Sequence, residues 1–361
     1  MKNICIVVGA RPNFIKVAPI IHAVQRMRQQ GREVDYSLVY AGTETDATLE
    51  PTLFGDLQIP RPDVFLGVDC DSLNELVGKV MAAFEKYLES HSTDVVIVVD
   101  DLSSTMAAAI VTKKSGICLA HLVAGTRSFD LKMPKEINRL VIDGLSDLLF
   151  TAGMSSNSIA NKEGAELSKV YMVGNILMDT LRANHDRLRR PEIMDTLHLC
   201  PGGYFVFTLN RKALLADRAN LERMVCSLAQ AAGDMPVVAP LRALSAAALS
   251  NFRLPRNFHI VNPLGYLEFG WLTAHAKGVV TDSGNVAEEA TFNGVPCITL
   301  NSYTEHMETV KVGTNELVGE DADRLAEAVK RILAGDWKKG ALPDRWDGRS
   351  AERIVQILTE Q

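Results

Sequence analysis

Apolar and polar positions along the 361-residue chain alternate between two kinds of run. Short β-rich stretches at 4–8, 36–40, 95–99, 118–122 and 171–173 are separated by helix-length segments such as 13–29 and 104–115. That alternation predicts βαβ units and parallel sheets covered on both faces. A second series follows, with strands expected at 204–209, 236–238, 259–261, 278–281 and 297–300. Two doubly wound α/β domains account for both series. Gly174-Asn175 closes a strand and opens a helical stretch, so the domains are expected at 1–174 and 175–349. The last helix, 350–361, carries Ile354, Ile357 and Leu358 at helical spacing and fits packing on either domain.

Composition narrows the classes. Hydrophobic residues make up 47% and charged residues 23%, the balance of a folded globular chain. No stretch approaches the roughly 18 apolar residues of a membrane span, and the apolar start at 4–8 runs straight into Gly9 and Arg11, as a first strand does and a signal peptide does not. A net charge of −6 argues against nucleic acid as a partner, and an anionic ligand would need a local cluster of cations. The six cysteines are dispersed without metal-binding spacing, which fits reduced core thiols in the cytoplasm and no metal site.

In open α/β sheets the ligand lies outside the carboxyl ends of the strands, so strand-ending residues carry the candidate chemistry. Gly9-Ala10-Arg11-Pro12 joins the first strand to a helix, with Lys16 one turn further on. Arg11 and Lys16 either place positive charge beside a helix N-terminus suited to phosphate, or are surface cations of a plain strand–helix turn. Ser283 and Gly284 likewise open a helix, where a hydroxyl and backbone N–H groups can hold a diphosphate, and Glu289 could accept from a ribose diol. The alternative is a capping serine with a solvated glutamate. Asp100-Asp101 ends a strand, and crowding of the two acids would raise the pKa of one, although Asp101 could equally be a helix cap. His121 ends another strand, where a structural role competes with a catalytic one. Glu136 and Arg139 are one helical turn apart.

Taken together these stretches resemble the non-hydrolysing UDP-N-acetylglucosamine 2-epimerases along essentially the whole chain. Gly9 to Pro19 looks like the family's GxRPxxIKxAP. His121…Ala124-Gly125…Arg127 is similar to HVEAGLR, Glu136…Asn138-Arg139 to PEExNR, and Gly174-Asn175…Asp179 to GNxxxD. Thr281-Asp282-Ser283-Gly284…Glu288-Glu289 resembles TDSGGxQEE; Thr304-Glu305 resembles TERPE; Gly313-Thr314-Asn315…Leu317-Val318 resembles GTNxLVG; and Asp347-Gly348…Ala351…Arg353-Ile354 resembles DGxAxxRI.

The resemblance implies two Rossmann-like domains of the glycosyltransferase-B type with the active-site cleft between them, the final helix returning to the first domain, and a homodimer. It implies interconversion of UDP-GlcNAc and UDP-ManNAc without cofactor: UDP is eliminated to leave 2-acetamidoglucal, then added back with C2 protonated on the other face. Carried over residue by residue, it assigns Asp101, Glu136 and His121 to the chemistry. It assigns Arg11, Lys16, Arg127, Asn210, Arg211, Arg242, Ser283, Gly284 and Glu289 to UDP or UDP-sugar.

Departures fall mainly on the sugar side. Val123 stands for the Glu of HVEAGLR, Asn210 for the His of a strand-ending THR, Arg242 for the His of PxHxxx, and His306 for the Arg of TERPE. Thr43-Glu44 replaces a Gln-His pair, and Asp100-Asp101 replaces the usual Gly-Asp. Val cannot transfer a proton and Asn has no accessible pKa. An epimerase, a relative acting on another nucleotide-sugar, and a nucleotide-sugar-binding paralogue with a regulatory role all fit these departures.

Overall fold

The computed structural model describes residues 1–163 and 169–360. Contacts divide the chain into two compact units, Met1–Ala183 with Asp344–Gln361, and Asn184–Pro343. The division falls nine residues after position 174, because the helix Ile176–Asn184 packs with the first unit up to Ala183.

In the first unit the described strands are β1 (Lys2–Val8), β2 (Val34–Tyr40), β3 (Val64–Phe65), β4 (Val95–Val99), β5 (Cys118–Leu122), β6 (Leu148–Thr151) and β7 (Lys169–Met172). They pair in parallel in the order β3-β2-β1-β4-β5-β6-β7. The run Val-Val-Ile-Val-Val of β4 is buried throughout, as a central strand covered on both faces requires. Ala107, Ala108 and Ala109 let the helix Ser103–Lys114 lie close against the sheet.

The last helix, Ser350–Glu360, packs on the helix Arg11–Gln29; Gln361 lies outside the described residues. Its docking joins two motifs far apart in sequence. The Asp179 carboxylate accepts the N–H groups of Ser350 (3.1 Å) and Ala351 (2.8 Å), satisfying the donors that open the helix. Gly174 has φ +100°, and a Cβ there would stand 2.1 Å from the carbonyl oxygen of Arg345. Arg353 donates to the carbonyl of Val173 at 2.8 Å.

In the second unit β8 (Phe205–Phe207), β9 (Val237–Pro240), β10 (Phe258–Val261), β11 (Gly278–Thr281), β12 (Cys297–Thr299) and β13 (Asn315–Leu317) form a parallel sheet in the order β10-β9-β8-β11-β12-β13. Its core gathers Phe205, Phe207, Val225, Leu228, Val280 and Val329. Both units are thus doubly wound α/β sheets, as the alternating pattern predicts.

Three strands went unpredicted. β3 has only two residues, β6 follows the helix Pro134–Leu145 so closely that its apolar run reads as part of it, and β13 begins on Asn315-Glu316. The thiols are also less uniform than expected. All six cysteines are free, but only Cys5 and Cys297 are buried; Cys200 is exposed and the other three are intermediate.

Candidate functional site

Each sheet reverses its winding once, between β1 and β4 in the first unit and between β8 and β11 in the second. Ligands of doubly wound sheets bind at the carboxyl ends of the strands at such switch points. Those ends carry most of the residues singled out by the sequence.

In the first unit β1 runs into the helix Arg11–Gln29, and β4 into Asp100-Asp101. Asn13 Oδ1 accepts from Gly9 N (2.9 Å) and Ala10 N (3.3 Å), fixing the turn, and its Nδ2 donates to Asp100 Oδ2 at 2.8 Å. Lys16 is buried, with Nζ 2.6 Å from Asp100 Oδ1. Arg11 pairs with Glu50, its Nε donating at 2.7 Å. Asp101 turns the other way. Arg139 donates to its Oδ2 from Nε (2.9 Å) and Nη2 (2.6 Å), and Lys135 Nζ lies 3.3 Å from its Oδ1. Burial opposes the charge of Asp101, but Lys135 and Arg139 hold its carboxyl below the usual range. The crowding expected to raise a carboxyl pKa therefore does not act on Asp101, because the two neighbouring acids face separate cations.

Glu136 is 1% exposed and fully engaged. Its Oε2 accepts from Ser128 N (2.9 Å), Ser128 Oγ (3.0 Å) and Arg139 Nη1 (2.9 Å), and its Oε1 from Phe129 N (2.9 Å). Burial works against its charge, yet these donors lower its pKa. So placed, Glu136 orients Arg139 and the turn at 128–129.

His121 takes the structural of the two roles open to it at a strand end, and Arg127 takes a position that the sequence reading did not anticipate. His121 is 1% exposed, with Nδ1 2.5 Å from Asp143 Oδ1 and Nε2 2.8 Å from the carbonyl oxygen of Asp100. Both ring nitrogens are thus engaged by the protein, and the ring braces the ends of β4 and β5. Arg127 is buried against Asp143 Oδ2 (2.7 Å) and Glu163 Oε2 (2.8 Å), which places its guanidinium in the interior instead of on a ligand. Asp143, which sequence reasoning passed over, collects His121, Arg127 and the N–H of Gly125 (3.1 Å). Burial opposes its ionisation, and His121 and Arg127 nonetheless keep its pKa low. The signal was available: Glu136, Arg139 and Asp143 lie at i, i+3 and i+7 on one helix face.

In the second unit Ser283 caps the helix Gly284–Asn293 without spending its hydroxyl on that cap. Asp282 is buried, and its Oδ2 accepts the N–H groups of Asn210 (2.7 Å) and Arg211 (2.6 Å), so the end of β11 fixes the loop that follows β8. Burial raises the Asp282 pKa, against the pull of those two bonds. The Arg211 side chain is steered by Asn301, to which its Nη1 donates. His306 lies over the helix start. A Cβ on Gly284 would stand 2.5 Å from its Cδ2 and 2.6 Å from its Nε2, and His306 Nδ1 is 2.7 Å from Oε1 of the buried Glu288. Glu289 is buried one turn along, while Asn210 and Arg242 are exposed at strand ends. The result is a corner that gathers helix N–H groups, the Ser283 hydroxyl and an imidazole whose outer nitrogen faces the helix start, an arrangement of the kind that suits an anion. Among the described residues no helix is long and apolar enough to cross a membrane.

Comparison with known proteins agrees along the whole chain. Residues 25–359 match the family described as UDP-N-acetylglucosamine 2-epimerase. The chain is 32% identical over 370 residues to the UDP-N-acetylglucosamine 2-epimerase of Methanocaldococcus jannaschii, covering 99% of each protein. It is 32% identical over 362 residues to the UDP-2,3-diacetamido-2,3-dideoxy-D-glucuronate 2-epimerase of Pseudomonas aeruginosa, again over 99% of each. The crystal structure of the Methanocaldococcus enzyme in complex with UDP-GlcNAc and UDP superimposes with a TM-score of 0.86, over 99% of this chain and 100% of that one.

Proposed function

Since the chain belongs to the UDP-N-acetylglucosamine 2-epimerase family, we propose that it interconverts UDP-GlcNAc and UDP-ManNAc by eliminating and re-adding UDP. A base removes the C2 proton while the C1–O bond breaks and its electron pair leaves with UDP. The resulting 2-acetamidoglucal then takes UDP back at C1 and a proton at C2 from the opposite face. The second unit holds the nucleotide, with Ser283, Gly284 and His306 on the diphosphate and Glu289 toward the ribose. Helix N–H groups and an imidazole can stabilise the charge that grows on the leaving diphosphate. The first unit supplies carboxylates for proton transfer to and from an unactivated carbon.

The observation that supports this reading is what stands at the two switch points. Carboxylates stand at the end of β4, and a helix start with Ser283 and His306 follows β11. Absence of disulfides among the cysteines favours a reducing compartment, and we place the protein in the cytoplasm, as a homodimer by family resemblance. The test is incubation of the purified protein with UDP-GlcNAc in D₂O, followed by NMR. The expected result is deuterium at C2 together with the manno epimer; UDP binding with neither product would defeat the epimerase reading.

A further inference from the structure

We infer that Asp100 is the carboxylate that exchanges the C2 proton on one face of the sugar, at the strand end beside Val123, which stands where the family motif has a glutamate. The inference rests on the epimerase reading above. β4 and β5 pair in parallel with Val99 opposite Leu122, so Asp100 and Val123 are the next residues out on two adjacent strands. Asp100 N donates to the Leu122 carbonyl at 3.2 Å, which keeps the two strand ends together. Both residues have left-handed backbones, φ +58° and φ +72°. A β-branched residue is rarely found there, and Val123 holds that backbone with a side chain unable to move a proton. At 100, the family motif has glycine, the residue suited to φ above zero; this chain instead has an acid. One carboxylate has gone from the end of β5, and one has appeared beside it at the end of β4.

The surroundings of Asp100 suit the task. Its oxygens meet Lys16 Nζ at 2.6 Å and Asn13 Nδ2 at 2.8 Å, its side chain is 17% exposed, and its carbonyl is braced by His121 Nε2 at 2.8 Å. Each carboxylate oxygen retains a lone pair, and the partly exposed group can reach a ligand. Asp101, in contrast, is gripped on both oxygens by Arg139 and Lys135. In the elimination, the C2–H bond breaks and the proton goes to an Asp100 oxygen, while the C1–O electron pair departs with UDP. The new carboxylic acid keeps its bond to Lys16, and in the reverse direction it returns the proton to C2. Exchange of the acid proton with solvent puts deuterium on the carbon.

Four proteins make the test: wild type, Asp100→Asn, Asp100→Gly, and the exchange variant Asp100→Gly with Val123→Glu. C2 deuteration of UDP-GlcNAc is measured beside UDP affinity. The Asn and Gly variants are expected to lose about 10²- to 10⁴-fold in exchange rate, with UDP affinity unchanged as the check on folding. Moving the acid back to position 123 is expected to recover most of the rate. Rates for both single variants within about tenfold of wild type, or an exchange variant that binds UDP and stays as slow as Asp100→Gly, would overturn the inference while leaving an active wild type and its function intact. A wild type that exchanges no deuterium overturns the epimerase reading and this inference with it.

Discussion

His306 and Glu288 form a hydrogen-bonded pair over the start of the helix Gly284–Asn293, with Nδ1 2.7 Å from Oε1. The buried carboxylate fixes which imidazole edge faces the helix start, where the diphosphate is proposed to lie. A hydrogen bond to a charged group contributes about 1.5–3 kcal/mol net, so His306→Ala should weaken UDP binding by roughly one to two orders of magnitude. Isothermal titration with UDP measures it directly. Affinity within about twofold of wild type would remove His306 from the diphosphate site.

Gly284→Ala should act through the same ring. The added Cβ would fall 2.5 Å from His306 Cδ2, and Glu288 restrains the imidazole from moving aside. Loss of UDP affinity is expected in the single variant, and less than the sum of both losses in Gly284→Ala with His306→Ala, since contacting residues do not add. Strictly additive losses would mean that the glycine serves the ligand by close backbone approach alone.

Asp143 holds two side chains in the interior of the first unit, at 2.5 Å from His121 and 2.7 Å from Arg127. Breaking a buried ion pair by removing one partner costs about 3–5 kcal/mol, so Asp143→Ala should be among the most destabilising changes in this unit. The sign of the pH dependence follows from its lowered pKa. A carboxyl with depressed folded-state pKa contributes stability above its unfolded value, and that contribution is lost as pH falls through the folded value. Wild type should therefore lose its advantage over Asp143→Ala in strong acid, as urea unfolding at several pH values would show. An advantage that grows on acidification would refute the pairing.

The alternating apolar runs made the two doubly wound sheets legible, because a strand covered on both faces must read as a continuous apolar run, as β4 does. What the runs could not show is which polar residues turn inward. Arg127 and Glu136 read as ligand-facing groups, yet each is engaged by partners that the apolar pattern does not mark, Glu163 for the first and the Phe129 N–H for the second. Asp282 gives the opposite lesson: a residue noticed only as part of a motif sets the backbone of Asn210 and Arg211, 72 and 71 positions away. Motifs matched one by one also hid their mutual contact, since Gly174 and Asp179 exist to receive the segment containing Arg345, Ser350 and Ala351.

That reception has a pH signature of its own. Asp179 is 6% exposed, and burial raises its pKa to about 6 despite the N–H groups of Ser350 and Ala351 that favour its charged form; Asp347 adds to the rise. A folded-state value above the unfolded one means that the native protein binds the proton more tightly. The associated stability is then fully present below the unfolded value and declines as pH rises toward about 6. At about 1.4 kcal/mol per pKa unit the change is on the order of 3 kcal/mol. Asp179→Asn removes the titration and keeps a single acceptor oxygen for two donors. The stability difference between wild type and this variant should thus be largest near pH 4 and shrink toward pH 7, in the direction opposite to that expected for Asp143. Urea unfolding of both proteins across that range decides it, and a difference that stays constant with pH would show that burial does not raise the Asp179 pKa in the docked helix.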